Sequence, residues 1–430
     1  MRLAIIGAGW AGLAAAVEGV RAGHTVTVFE AAGMAGGRAR TVAGHGPGHG
    51  HGHGHGDVLP PLDNGQHILI GAYTETLRLM ALVGVAERDV LLRMPLSLRF
   101  PDGRGLALPK APSPLDLLLG IVVARGWSVG DKWSLLRTAG CWQKRGFRCA
   151  PQQTVAGLCA SLAPRVMQEL IEPLCVSALN TPARAASGQV FLRVLQDALF
   201  GVPGSSHLLL PRTDLGALFP VPAQRWLAAR DMPVQLHWRV QAIARSGDGW
   251  TVDAEPFDRV LLACPPGEAA RLAEAAAPEA SADWCAQARA LRFEAITTVY
   301  AHAATGLAEP MLPLRSNAAA PAQFVFDRGQ LGGPQGLLAF VVSASHGERA
   351  ALEQAVVQQA QAQLNMAVVP LQTIVEKRAT FACTPGLSRP PQRVAPGLLA
   401  CGDYLDGPYP ATLEGAVRSG IAAIPALSNL

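Results

Sequence analysis

The chain has 430 residues, half of them apolar and only 16% charged, with 36 Lys plus Arg against 32 Asp plus Glu for a net charge of +4. At about 150 residues per domain this means two or three domains with ample chain for a large core, which excludes a disulfide-stapled mini-protein and a mostly disordered chain. So small a cationic surplus, with no basic run interleaved with aromatics, excludes a dedicated nucleic-acid binder and allows only mild attraction to an anionic membrane surface.

The eight cysteines, at 141, 149, 159, 175, 264, 285, 383 and 401, form no Cys-x-x-Cys pair and match no zinc-ribbon or redox spacing. They read as scattered reduced thiols of a cytoplasmic enzyme, and no metal site is expected. Arg2 followed by apolar residues through Val20 imitates a signal peptide, but Gly7, Gly9, Gly12 and Glu18 interrupt it. No uncharged run reaches the roughly 18 residues that a spanning helix needs, so any membrane association is expected from one side.

In chain order, residues 3–6 are a short apolar run ending in glycine, a buried parallel strand. Residues 11–22 are Ala-rich and read as a helix with Gly23 just past its end. Residues 25–29 alternate as a second strand, completing a β-α-β unit. Residues 44–56 read GHGPGHGHGHGHG, a composition that builds no core. Five imidazoles there suit Zn, Ni or Cu, yet alternating glycine cannot hold ligands in fixed geometry, so a low-complexity surface insertion is the preferred reading.

From about 91 to 210 the pattern is mostly helical, with Pro164 and Pro173 breaking the 155–179 stretch. Trp238-Arg239-Val240, a Ser246-Gly247-Asp248-Gly249 turn and Trp250-Thr251-Val252 predict a hairpin. Residues 259–263, 295–301, 336–343 and 398–401 read as strands, and 348–364 and 413–424 as helices.

Two motifs carry chemistry. Gly7-Ala8-Gly9-Trp10-Ala11-Gly12 is G-x-G-x-x-G between a strand and a helix, the phosphate cradle of a dinucleotide site. Gly7 allows the turn, Gly9 lets the backbone approach a pyrophosphate, and Gly12 lets helix and strand pack closely. The helix N-terminus offers unpaired N–H groups to the phosphates. Glu30 ends the second strand 18 residues after Gly12, where a carboxylate accepts from a ribose diol and repels a 2′-phosphate. The cradle alone does not separate NAD from FAD. Gly36-Gly37-Arg38 follows closely, and with it the sequence resembles the FAD-binding amine oxidase and phytoene desaturase superfamily, which implies Arg38 as a cation on the diphosphate side.

The second motif, Gly402-Asp403 before the final helix, resembles the superfamily's C-terminal flavin contact. The resemblance implies Asp403 on the diphosphate or ribityl chain, and a helix opening at Thr412-Leu413 aimed at the pyrimidine edge of the flavin, where its dipole favours the charge of the reduced ring. Asp63-Asn64-Gly65-Gln66-His67 resembles a block that passes the ring, with Gly65 and Gln66 as contacts. Val240 matches the position that meets adenine through its backbone.

That block with Gly71-Ala72-Tyr73, the Glu172-Pro173-Leu174-Cys175 and 178–187 segments, and 409–416 together look like the squalene-associated FAD-dependent desaturases, the hydroxysqualene dehydroxylases of bacterial hopanoid synthesis. The resemblance covers essentially the whole chain, the 44–56 insertion being a departure in a loop. It implies an α/β fold, a Rossmann-type FAD-binding domain from 1–90, 207–270 and 390–430, and a discontinuous α+β substrate domain from 91–206 and 271–389. It also implies FAD as cofactor, and reductive loss of an allylic hydroxyl from hydroxysqualene with hydride delivered by reduced flavin. Loss of the allylic hydroxyl leaves a delocalised cation, from which water must be excluded, as an apolar tunnel does. His67 and Tyr409 are the candidates near the leaving oxygen. A carotenoid desaturase, a flavin amine oxidase and a non-catalytic binder of prenylated proteins remain as rivals.

A triterpene substrate has almost no aqueous solubility, so it must come from a bilayer or from a neighbouring enzyme of squalene synthesis. The expected lip is the apolar stretch Leu115, Leu117, Leu118, Leu119, Ile121, Val122 and Val123, with Arg125 and Trp127 at headgroup depth. That makes a cytoplasmic protein, peripheral at the inner face of the membrane.

Overall fold

A computed structural model describes residues 1–42, 44, 61–109, 111 and 115–428. The His/Gly-rich insertion, Gly44 apart, lies outside the described residues. The expected unit opens the fold: β1 (Arg2–Ile6), α1 (Trp10–Arg21) and β2 (Thr25–Phe29). These two strands sit inside a six-stranded sheet in the order Val234–Gln235, β2, β1, Arg259–Leu262, Leu398–Ala400, Arg393–Ala395. All its pairings are parallel except the last, an antiparallel edge. Its strands come from three separate stretches of chain, residues 2–29, 234–262 and 393–400, of which the first and last adjoin the two motifs. Leu3, Ile5, Val260, Leu261 and Leu398 have no exposed surface, as expected where a parallel sheet is covered on both faces.

The alanines of α1 follow from its position. Trp10 to Val17 and Gly19 are all buried, because α1 is clamped between the sheet and the final helix Leu413–Ser428. A methyl on Gly420 of that helix would stand 2.2 Å from the Ala11 carbonyl, so the two helices approach closely.

The second layer is a five-stranded antiparallel sheet in the order Met311–Pro313, Phe324–Asp327, Leu337–Ser343, Phe293–Ala303, Val368–Phe381. Leu337–Ser343 is buried along its whole length. Helix Arg349–Leu364 packs on it through Val356 and Ala360, and helices Leu115–Val123, Val129–Lys144, Glu172–Leu179 and Gly188–Leu199 belong to the 91–206 region. The 155–179 stretch is broken as expected, into Val155–Leu158, Pro164–Val166, a π-helical turn Met167–Ile171 and Glu172–Leu179.

The structure corrects two expectations of local structure. The mostly helical 91–210 region also contains strands, and Leu91–Met94 pairs with Leu208–Pro211, which pairs in turn with Leu69–Ile70. Hydrogen bonds thus cross the expected boundary at residue 90. The hairpin is Ile243–Ser246 with Gly249–Val252, continued by Glu255–Phe257. Trp238-Arg239-Val240 precedes it as irregular chain, because the His237 and Trp238 N–H groups are already bonded to the Ala32 and Glu30 carbonyls.

Candidate functional site

A cavity of about 1120 Å³ lies between the parallel sheet and the antiparallel one. Gly7, Gly9, Glu30, Gly36, Gly37, Arg38, Gly65, Gln66, His67, Val240, Gly402, Asp403, Thr412 and Leu413 all line it. Segments almost 400 residues apart in sequence thus meet at one wall.

The glycines of the cradle divide their work. Gly7 has φ +116° and its missing Cβ would stand 2.6 Å from the Ala263 carbonyl oxygen, so a turn against the neighbouring strand requires glycine there. Gly12 stays out of the cavity wall: a methyl on it would stand 1.9 Å from the Gly7 carbonyl oxygen. Gly9 differs from both. Its φ of −72° suits any residue, and the protein atom nearest to its missing Cβ, the Gly37 Cα, is 3.9 Å away. The protein fills the space beside Gly7 and Gly12 but leaves the space beside Gly9 open to the cavity, as a diphosphate seated on the helix N-terminus needs.

Glu30 follows the same wall. Its carboxylate accepts from the Ala8 and Ala32 N–H groups, both at 2.8 Å, which fixes it beside the cradle while its remaining lone pairs stay available for hydroxyl donors. Arg38 is not a free cation. It donates to Asp403 Oδ1 at 2.5 Å and to the Ala379 carbonyl at 2.7 Å. Burial alone would weaken its charged form, but Asp403, with Glu376 and Tyr404, more than offsets this and holds the guanidinium above its ordinary range. The two motifs are therefore joined by an ion pair, and Asn64 ties in by donating to the Arg38 carbonyl and to Glu376. Val240 is buried, and its carbonyl already accepts from Arg271, which leaves its N–H as its backbone donor toward a base. The Tyr404 hydroxyl is buried in the cavity wall without a partner among the described residues.

At the far end the final helix begins on an unusual backbone. Ala411 has φ +57°, a conformation that costs a non-glycine residue energy and is retained where the surroundings enforce it. Thr412 then caps the helix by accepting from the Gly415 N–H at 2.9 Å. Glu414, with no exposed surface, accepts from the Glu75 and Thr76 N–H groups and from the Thr76 hydroxyl, and Arg418 donates to it. This locks the helix against the N-terminus of Thr74–Leu82. Sequence reasoning missed Glu414, since its spacing from residues 75 and 76 exists only in the fold.

His67 Nδ1 is 3.1 Å from the Gly65 carbonyl, which can only accept, so the ring proton sits on Nδ1 and Nε2 is bare. Burial, with a smaller contribution from the Arg38 charge, holds the imidazole below its ordinary range, against the pull of the Gly65 carbonyl. A neutral ring with its proton engaged is an acceptor, not the source of a proton for a departing hydroxyl. His67 thus lines the cavity as a polar group, whereas Tyr409 is absent from the cavity wall, which corrects the expectation for it. Its half-buried ring lies against Arg418 and Arg193, with centroid distances of 5.1 and 5.8 Å. The adjoining Pro410 and the left-handed Ala411 direct the chain elsewhere. Tyr73, outside the expected catalytic set, lines the cavity and hydrogen-bonds Thr412; burial pushes its phenol upward, so it stays protonated.

The antiparallel sheet lines the cavity with Phe293, Ile296, Phe324, Phe326 and Val341, beside the polar Ser343, Glu376, Arg378 and Thr380, and Val176 and Ala178 of Glu172–Leu179 add to the apolar part. Asn180 ends that helix at φ +45° and pins it to the sheet, donating to the Thr380 hydroxyl at 3.0 Å and accepting from the Ala344 N–H at 2.6 Å. The 178–187 block marked one edge of this wall in the sequence, but no motif marked its strands.

No cysteine is paired, and burial pushes Cys264, which lines the cavity, up to about 12, so it remains a thiol. Among the described residues no group of three or more His, Cys, Asp or Glu could hold a metal ion. No described helix is long and apolar enough to cross a membrane. Trp127, expected at headgroup depth, is buried instead, its indole donating to Glu169 at 2.8 Å.

The open space beside Gly9, the carboxylate beside the cradle and the unpartnered Tyr404 hydroxyl fit a dinucleotide whose diphosphate lies on α1. Comparison with known proteins agrees. The chain is 29% identical to hydroxysqualene dehydroxylase of Rhodopseudomonas palustris, covering 97% of this chain and 96% of that one. It is 25% identical to hydroxysqualene dehydroxylase of Zymomonas mobilis over 99% of each. The fold is similar to that of reduced UDP-galactopyranose mutase, with a TM-score of 0.70 at 14% identity, covering 100% of this chain and 94% of that one. Residues 10–423 match the flavin-containing amine oxidoreductases, and the chain belongs to that family as an FAD-dependent oxidoreductase.

Proposed function

We propose that this enzyme reductively dehydroxylates hydroxysqualene to squalene, in the synthesis of squalene and hopanoids. The observation that carries the reading is the composition of one cavity: a backbone-lined nucleotide cradle at one end and a wall of Phe293, Ile296, Phe324, Phe326 and Val341 at the other. The near full-length similarity to two relatives of that name supports it.

In this reading the apolar wall takes the isoprenoid chain and excludes water from the carbon that loses its hydroxyl. The C–O bond breaks with its electron pair on oxygen, which leaves as water after taking a proton, and a hydride replaces it. FAD, when bound and reduced, supplies that hydride. Gly7, Gly9 and Glu30 hold the nucleotide end, and the Arg38–Asp403 pair fixes the two cofactor segments against each other. The helix opening at Thr412 and Leu413 directs its positive end toward the flavin. Neutral His67 presents Nε2 as an acceptor that orients a polar group near the ring.

The test is anaerobic incubation of the reduced holoenzyme with hydroxysqualene, with squalene measured by mass spectrometry. Squalene in stoichiometric yield with flavin reoxidation supports the reading. No squalene, together with desaturation of a carotenoid precursor or oxidation of an amine by the oxidised enzyme, overturns it.

A further inference from the structure

The helix Leu115–Val123 is built inside out. Leu115, Leu118, Leu119, Val122 and Val123 fall at i, i+3, i+4, i+7 and i+8, the spacing of one helix face, and all five are exposed. The opposite face is the buried one, where a methyl on Gly120 would stand 2.6 Å from the Leu108 side chain. The next helix, Val129–Lys144, adds Val129 at 85% exposure and Trp133 at 67%. Seven of the twelve exposed large hydrophobic residues of the described chain thus lie within residues 115–133. Scattered apolar residues on a surface need no explanation, but a contiguous apolar face on two adjoining helices does.

The charges on this stretch of chain are mostly positive. Residues 115–148 carry six cations, Arg125, Lys132, Arg137, Lys144, Arg145 and Arg148, against two acids, a surplus equal to the net charge of the whole chain. Of the two acids, Asp116 is buried, and Asp131 is held at the start of the second helix, where it accepts from the Ser128 N–H in a capping box. Lys132 donates to the Val122 carbonyl at 2.6 Å and so ties the start of the second helix to the end of the first. Trp133, Arg137 and Lys144 follow one another at i, i+4 and i+11 along the exposed stripe of the second helix. Among the described residues neither Arg137 nor Lys144 makes an ion pair.

We propose that these two helices form a membrane-docking face that enters one leaflet of a bilayer bearing anionic headgroups. The apolar face of Leu115–Val123 lies at acyl depth, Trp133 sits at the interface, and Arg137 and Lys144 meet the headgroups. The charge pattern favours this occupant over a second copy of the chain, since two copies would bring like-charged rims together. The proposal does not depend on the identity of the substrate.

The test is flotation of the flavin-loaded protein with vesicles of phosphatidylcholine alone or mixed with phosphatidylglycerol. The wild type is expected to float with the mixed vesicles and to lose most of that binding in high salt. The Leu118→Asp/Val122→Asp variant is expected to stay at the bottom with its flavin retained. The Arg137→Glu/Lys144→Glu variant leaves the apolar face intact and should bind mixed vesicles about 25-fold or more weakly. Wild-type protein that fails to float overturns the proposal, as does flotation of the charge-reversed variant equal to wild type. A wild-type dimer by light scattering that the double-Asp variant converts to monomer, with no flotation, overturns it in favour of self-association. If the double-Asp variant loses its flavin, the charge-reversed variant and the salt dependence decide.

Discussion

The two ends of the cavity are built in opposite ways. At the nucleotide end the backbone does the binding, through a helix N-terminus, a left-handed turn and a gap where a Cβ would stand. At the other end side chains form the wall, through aromatic and branched residues on three strands of a different sheet. Backbone recognition tolerates almost no substitution at Gly7, Gly9 and Gly12, because each lacks a Cβ for a different steric reason. An apolar wall accepts many side chains of similar volume. The first kind of site is therefore written as a motif and the second as a mere composition.

The sharpest way to break this contrast is Gly9→Val. The backbone at Gly9 suits any residue and no protein atom lies closer than 3.9 Å to the added Cβ, so the apoprotein should melt at the wild-type temperature. The branched side chain takes the diphosphate space, and bound flavin should fall by about 100-fold, the scale of an overpacking penalty. A full flavin spectrum on the purified variant would refute the cradle. Next in size, Glu30→Ala should weaken FAD binding by about 1.5–3 kcal/mol for lost charge-assisted hydrogen bonds, measured by calorimetry on apoprotein. An unchanged affinity would mean that the carboxylate serves only the Ala8 and Ala32 N–H groups.

At the other end the expected pattern reverses. Ile296→Asn puts an amide in the apolar wall and should lower turnover of the lipid about tenfold while flavin content stays at the wild-type level. Loss of flavin in that variant would show that the two ends are not separable.

The smallest effect is expected where the ends are joined. The Asp63 carbonyl accepts from the Tyr300 hydroxyl of the antiparallel sheet, and its carboxylate accepts from the Leu215 N–H. Burial raises this carboxyl to about 7, although Leu215 and Arg328 pull the other way. A carboxyl raised in the folded state favours folding most when it is protonated in both states, and this advantage is lost as pH rises from about 4 to about 7. Asp63→Asn keeps an acceptor but cannot ionise. Its melting temperature should gain on the wild type by about 2 °C or more across that range. A constant difference between the two proteins would sink the assignment.

The cradle, Glu30, the Gly36-Gly37-Arg38 turn and the Gly402-Asp403 pair, which the fold brings to one cavity, stood out in the sequence because each is a local pattern, readable over a few residues. It misplaced the first hairpin strand because the His237 and Trp238 N–H groups are bonded to chain more than 200 residues earlier. It gave Trp127 an interfacial role, since a tryptophan after an apolar run looks the same whether or not a Glu169 waits beneath it. Tyr409 suffered in the same way, as proximity in sequence to Thr412 and Leu413 did not carry its ring to the cavity.

By itself, then, the sequence determined the β-α-β entry, the family and the nucleotide end, since glycine positions and hydrophobic period are local steric facts. Tertiary structure alone decided that Arg38 meets Asp403, that Glu414 locks the final helix, and that an apolar wall faces the cradle. It also decided that the apolar face of Leu115–Val123 points outward. Helical spacing reveals that a face exists, but which side of the helix the rest of the chain covers depends on contacts made across hundreds of residues.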